Sequence, residues 1–383
     1  MALITRYFST TGAGTEDGTS WANRAAFYSA GTCSSIITSF NFAGSDSLEV
    51  RLGAGTHSTS NNSFTSALFT NAPRPANPLT IYGCDSNGDR IIPPVWNCCQ
   101  GPLPVSNFPL WDLGTGSVSL ANIIIACVSL QNNSASGTVN ASGTFNLGNG
   151  MSLEFCKVEN SGGQSAAFGT TATAHSCHFK TTATTYGNVV AGGAIHVQNC
   201  RIEGNPGATS GNRRGIEGTV AGILRPASKN CILDCPGSAI INTNGSAGNG
   251  LVATEFTIVN CATVNGAAID CPNPPSGVAA TGHNVVYSKN CFIANCGLGI
   301  STVNTAARLF NNRLRNTSNY SIPTNSIVAN DYVAAGSDTD EFVDAASGDY
   351  RIKKTSIYWG KNLGAGDEPG ARPTSPFYTG IIG

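Results

Sequence analysis

Cys156-Lys157-Val158-Glu159-Asn160, Cys177-His178-Phe179-Lys180-Thr181 and Cys200-Arg201-Ile202-Glu203-Gly204 are three versions of one short pattern. Each opens on a cysteine, puts an apolar residue two positions later, and sets polar or charged residues between and after them. The pattern also occurs upstream as Cys127-Val128-Ser129. Downstream it returns as Cys231-Ile232-Leu233-Asp234-Cys235 and Cys291-Phe292-Ile293-Ala294-Asn295. Phe256-Thr257-Ile258-Val259-Asn260 and Asn312-Arg313-Leu314-Arg315-Asn316 are degenerate copies. Successive starts lie 29, 21, 23, 31, 25, 35 and 21 residues apart. A repeat of that size marks stacked units, each burying its apolar face on its neighbours.

Helical repeats need long runs rich in Ala, Leu, Glu and Lys. This region instead has short runs rich in β-formers, broken by Gly, Asn, Ser and Thr. Within a run the polarity alternates with a period of two, so one face is buried and the other wet. The unit is therefore a coil of short strands, and the stack is a parallel solenoid. Cys127, Cys156, Cys177, Cys200, Cys231 and Cys291 are expected as a buried structural ladder, small apolar residues with a weak S–H donor. Asn260, Asn295 and Asn316 share a turn position, where Asn tolerates the left-handed region and can stack as an amide ladder. In-register thiols on adjacent coils point in parallel, so reduced cysteines are expected rather than disulfides.

The ends extend the pattern into a family resemblance. Tyr7-Phe8-Ser9-Thr10-Thr11-Gly12-Ala13-Gly14 and Gly18-Thr19-Ser20-Trp21-Ala22-Asn23 look like the opening segment of β-helix surface proteins. Phe342-Val343-Asp344 and Gly348-Asp349-Tyr350-Arg351-Ile352-Lys353 look like their closing segment. Taken together, the chain resembles the right-handed parallel β-helix (pectate-lyase-like) superfamily, of the kind found in phage virion and bacterial surface proteins. The resemblance implies an all-β protein: a single-stranded right-handed parallel β-helix solenoid with a short N-terminal helical cap and an extended C-terminal tail. Residues 1–45 form the opening segment and cap, 46–330 the β-helix, and 331–383 the closing segment and docking tail. The cap is expected as a helix through Trp21 to Tyr28, started by Ser20 or Thr19. Leu48–Leu52 and Leu79–Tyr82 read as strands. Pro93–Pro109, with Cys98 and Cys99, reads as a long side loop, and the tail from Gly364 is expected to run along a neighbour.

Composition narrows the function classes. Only 11% of the 383 residues are charged and the net charge is −1, which argues against a nucleic-acid partner and its basic patch. No apolar run approaches the roughly 20 residues of a membrane helix. The first residues lack the basic start and apolar core of a signal peptide, so export by the general secretory route is not expected. Fourteen cysteines in a chain without an export signal fit a reducing compartment.

Chemistry is sparse. Between residues 120 and 330 the acidic residues are Glu154, Glu159, Glu203, Glu217, Asp234, Glu255 and Asp270, none adjacent to another. That is too thin for a calcium site, which takes about six to eight oxygens. The resemblance implies, for polygalacturonase-like members, adjacent aspartates and a Gly-His-Gly motif; neither occurs, although Arg351-Ile352-Lys353 matches their Arg-Ile-Lys triplet. Glu203 and Asp234 stand three positions after their cysteines, so stacked coils bring them close to the carboxyl spacing of a retaining glycosidase, about 5–5.5 Å. They are weak catalytic candidates, with Arg201 and Lys180 beside them as ligand-binding candidates. The plainer reading makes them cross-strand ion pairs on a wet face. Arg213 and Arg214, in a Gly/Asn-rich loop, are further candidates for binding an anionic glycan or an acidic partner. His175-Ser176-Cys177-His178 points its two histidines opposite ways in a strand, so no metal and no other cofactor is expected.

The expected role is a non-enzymatic structural or binding protein on a particle surface, foremost a bacteriophage virion protein. It would decorate or cement the capsid, or serve as a receptor-binding spike joined through an adaptor, assembled in the host cytoplasm. The alternatives are a β-helix polysaccharide lyase or glycosidase, or a bacterial surface adhesin. Expected partners are further copies of the chain in a homotrimer, as the resemblance implies, a capsid or tail protein, and a surface glycan.

Overall fold

The computed structural model describes residues 2–29, 32–58, 64–114, 118–132, 145–147, 151–161, 167–182, 189–206, 215–218, 230–242, 251–261, 266–271, 285–302, 306–333, 336–360, 363 and 365. Most described strands fall into three parallel sheets. The first climbs from Leu3–Ser9 through Ser47–Leu52, Leu79–Gly83, Ile123–Ala126 and Met151–Glu154 to Ser318–Ser321. The second runs from Thr56–Ser58 through Lys157–Asn160, His178–Thr181, Arg201–Glu203 and Ile232–Asp234 to Tyr332–Val333. The third is shorter: Leu251–Thr254, Val285–Lys289, Ala306–Phe310 and Ile327–Ala329. Each coil thus adds one strand to each wall it visits, about 4.8 Å above the last.

One backbone feature recurs at the corners leading into the second sheet from Ser129–Asn132 onward. Cys127, Phe155, Ser176, Asn199, Asn230, Glu255, Asn290, Asn311 and Asn330 all have φ between 48° and 59°. A left-handed residue costs an ordinary L-amino acid roughly 1–2 kcal/mol, and Asn least among the non-glycines. Asn therefore holds five of these corners. The residue after each corner turns inward, and in Cys156, Cys177 and Cys200 the thiol donates to the carbonyl two residues back at 3.3 Å. A small apolar side chain with a weak donor fits that position. All fourteen cysteines are buried thiols.

The core column follows directly. Leu130, Val158, Phe179, Ile202, Leu233, Ile258, Ile293 and Leu314 are successive register partners in the second sheet and are buried. Each such side chain contributes about 1.5–3 kcal/mol on burial. The copies starting at Phe256 and Asn312 keep this register, so both are true repeats. Cys127 does not. Ser129 pairs with Lys157, which aligns Val128 with Cys156 and leaves Cys127 at the left-handed corner, its sulfur facing Ile91 O at 3.8 Å.

Three further expectations are corrected. The segment from Trp21 to Tyr28 is not helical: Ala25–Ala26 pairs with Phe8–Ser9 as a parallel strand, and Ala25 and Phe27 are buried with a period of two. The helical cap is Ser35–Thr38, with Ser34 Oγ accepting from Ile36 N and Ile37 buried against the coil end. Asn260 and Asn295 take positive φ, but Asn316 does not; its Oδ1 accepts from Cys296 N at 3.1 Å instead. The outer face of the second sheet is not wet along its length. His178, Arg201, Ile232 and Phe292 are all buried.

What covers them comes from two distant segments. The proline-rich loop carries Trp96, Cys98, Cys99, Leu103 and Phe108 onto this face, and the closing segment carries Phe342, Tyr350, Ile352, Tyr358 and Leu363. They meet the outward-facing Cys127, Phe155, Ile232, Val259 and Phe292 in a second hydrophobic cluster. Ionic fasteners hold the closing segment down. Arg313, fully buried, reaches Glu341 Oε1 at 2.5 Å and lies 4.7 Å from the Tyr358 ring centre. Arg315 Nε reaches Glu341 Oε2 at 2.8 Å. Among the described residues no helix is long and apolar enough to cross a membrane.

Candidate functional site

The charged residues singled out in the sequence lie along one outward column of the second sheet. Register pairs Glu159 with Lys180, Lys180 with Glu203, and Glu203 with Asp234. The next two coils put Val259 and Ala294 in the column, so the polar stretch is short. Beside it runs Lys157, His178, Arg201 and Ile232.

Glu203 is held on two sides. Arg201 Nε donates to its Oε1 at 2.5 Å, and His178 Nε2 to its Oε2 at 2.9 Å. Burial works against the carboxylate, but the His178 hydrogen bond and the Arg201 charge outweigh it and hold Glu203 at about 2. His178 is buried, which lowers its own proton affinity. Arg201 does more than pair with Glu203. Its Nη1 donates to Cys98 O at 3.2 Å and Gly348 O at 3.1 Å, fastening the proline-rich loop and the closing segment to the same coil.

Asp234, on the next coil, is displaced the other way. Burial raises its proton affinity, and the Glu203 charge adds to that; hydrogen bonding to Asn260 and Tyr350 and the Arg201 charge only partly offset it. Asn260 Nδ2 donates to Asp234 Oδ2 at 3.2 Å and to Tyr350 Oη at 3.0 Å. The two residues are register partners on adjacent coils, and their proton affinities are displaced in opposite directions. They border an open cleft of about 530 Å³ lined by Lys180, Glu203, Gly204, Pro206, Asp234, Pro236 and Asn260. Gly204 lets the turn close tightly, because a Cβ there would meet Pro236 Cδ at 2.9 Å.

Of the sequence candidates, Glu203, Asp234 and Lys180 share this cleft, while Arg201 is buried behind it. Arg213 and Arg214 lie outside the described residues. The histidines of His175-Ser176-Cys177-His178 are engaged separately, His175 Nδ1 meeting Ser176 Oγ at 3.1 Å. Among the described residues no group of three or more His, Cys, Asp or Glu is placed to hold a metal ion. Arg351 of the Arg-Ile-Lys triplet is paired with Asp349 at 2.5 Å. Sequence reasoning missed Tyr350 as a neighbour of Asp234, since 116 residues separate them. It also read Asn260 as a turn and amide-ladder residue and not as a partner of Asp234 and Tyr350.

Comparison with known proteins agrees with the architecture. No family model matches the chain, and no curated protein matches its sequence. Among solved structures, the crystal structure of pectate lyase Pel9A superimposes with a TM-score of 0.54 over 93% of this chain and 90% of that one, at 11% identity. The fold is the pectate-lyase-like right-handed parallel β-helix. At that identity the match speaks for the β-helix and not for its chemistry.

Proposed function

We propose that this β-helix is a rigid, non-enzymatic structural and binding module displayed on a particle surface, in the manner of a bacteriophage virion protein. It decorates the capsid or joins the tail as a spike through an adaptor, as a homotrimer, and it meets a surface glycan at the Lys180–Glu203–Asp234 cleft. One observation carries the reading: the strongest charges on the outer wall act as fasteners. Arg201, only 3% exposed, holds Glu203 and two covering segments at once, and Arg313 is spent on Glu341. The stacked thiols serve the same end, as small dry corner residues of a stiff rod. Lys180 remains at the cleft to meet a ligand. A bacterial surface adhesin would use the same features.

A second reading has its own support. Two carboxyls on adjacent coils whose environments push their proton affinities apart are the arrangement that separates acid from base in glycan cleavage. One experiment addresses both. Purified protein is incubated with capsule or envelope glycan, scoring bound glycan and released reducing ends or unsaturated uronates. Retention without release is expected. Release that collapses in Glu203→Gln or Asp234→Asn overturns the non-enzymatic reading. Immunogold imaging of purified particles tests the virion assignment, and unlabelled particles reject it.

A further inference from the structure

The closing segment does more than cap the rod. Its turn at Gly348, φ 78°, and the strand Asp349–Ile352 cross the outer wall where both cleft carboxyls have their partners. Gly348 O takes a hydrogen bond from Arg201, the residue that holds Glu203. Two residues on, Tyr350 Oη points at Asp234 Oδ2 at 3.5 Å and accepts from Asn260 Nδ2, which also donates to that same carboxyl oxygen. Tyr350 is buried at 6% exposure, its ring 5.4 Å from Phe342 in the second cluster. Its hydroxyl is fixed in place by the seating of the whole segment.

We propose that Tyr350 is a positioning residue of the cleft: with Asn260 it fixes the Asp234 carboxyl opposite Glu203, so the cleft is complete only when the closing segment is seated. Seating and ligand binding are then coupled through one hydroxyl. The groups facing Asp234 are Glu203 and Arg201 from the preceding coil and Asn260 from the next. Tyr350 faces it from the closing segment, where the Asp338 charge acts on the Tyr350 phenol, and Lys180 lines the same cleft. Burial, and then the Asp234 charge, push the Tyr350 phenol up to about 12, which keeps it a donor across the range where Asp234 titrates. The proposal rests on the reading of the cleft as a binding site, but its test does not require a ligand.

The test follows Asp234 and Glu203 by carboxyl-carbon NMR titration in protein carrying 13C-labelled Asp and Glu, comparing the parent chain with Tyr350→Phe. Losing a donor to the carboxylate favours its protonated form. The Asp234 midpoint should therefore move up in Tyr350→Phe, with Glu203 unmoved. Asn260→Ala, run in parallel, should move Asp234 in the same direction. An unmoved or lowered Asp234 midpoint in Tyr350→Phe overturns the proposal. So does a response to Asn260→Ala alone, which would leave the amide as the sole support. If both carboxyls shift together in Tyr350→Phe, the hydroxyl has only a general packing role, and the proposal also fails. A parent chain that binds no glycan removes the functional reading while leaving this titration result standing.

Discussion

Replacing Glu341 with alanine is the sharpest probe of how the closing segment is held. The carboxylate is 2% exposed and answers two guanidinium groups, Arg313 at 2.5 Å and Arg315 at 2.8 Å. Arg313 has no exposed surface of its own; its other contacts include the carbonyls of Leu314 and Tyr332 and the Tyr358 ring. Removing one partner of such a buried pair leaves an uncompensated charge and costs about 3–5 kcal/mol. Glu341 joins the closing segment to the coils, so the loss is expected first in that segment. At 1.4 kcal/mol per factor of ten, amide exchange in Phe342–Asp344 and Asp349–Ile352 should speed up by about 10²- to 4 × 10³-fold. Amides of the core strands such as Ile232–Asp234 should be far less affected. The control is the double variant Arg313→Met with Glu341→Leu, which removes both charges and should recover most of the loss. Native-state hydrogen exchange read by mass spectrometry decides it. Exchange in Glu341→Ala within about threefold of the parent would refute the claim that this ion pair fastens the segment.

Three other outcomes follow from the structure. Glu255 holds a left-handed corner at φ 58°, where Asn or Gly is less strained; Glu255→Asn should stabilise by about 0.5–1 kcal/mol in denaturant unfolding, and a net loss would contradict the corner rule. Glu203 is held at about 2 in the folded chain, so its contribution is fully present above its ordinary value of 4.5 and is lost as pH falls toward 2. Glu203→Gln should flatten that acid limb of the unfolding midpoint, whereas Asp234→Asn, removing a group with raised proton affinity, should gain stability at neutral pH relative to acid; an unchanged acid limb in Glu203→Gln rejects the first assignment. Burial pushes Cys33 and Cys84 up to about 12, so both should resist iodoacetamide at pH 8 in the native state and react on unfolding, as peptide mapping would show; rapid native labelling would mean that these coils open.

The coils were legible because their chemistry is local. A cysteine, an apolar residue two positions on and a polar residue between them encode one buried and one outward side chain, and repetition turns that into a stack. The left-handed corners were also written in the sequence, as the Asn-Cys pairs at Asn199-Cys200, Asn230-Cys231 and Asn290-Cys291, with the asparagine rather than the thiol marking the turn. That is why Cys127 was out of line: it occupies the asparagine's place. The candidate site was half legible. Stacking alone set Glu203 beside Asp234, because in-register parallel strands bring equivalent positions together.

Tertiary structure decided the rest. Whether His178 and Arg201 face water depends on Trp96, Phe342 and their neighbours, which arrive from segments about a hundred residues upstream or well over a hundred residues downstream. No period in the intervening chain announces that cover. The opposite proton affinities of Glu203 and Asp234 have the same origin, since burial, the Arg201 guanidinium and the Tyr350 hydroxyl act through space. Short-range alternation determines which side of a strand is inward. What lies over the outward side is set by the long-range return of the chain.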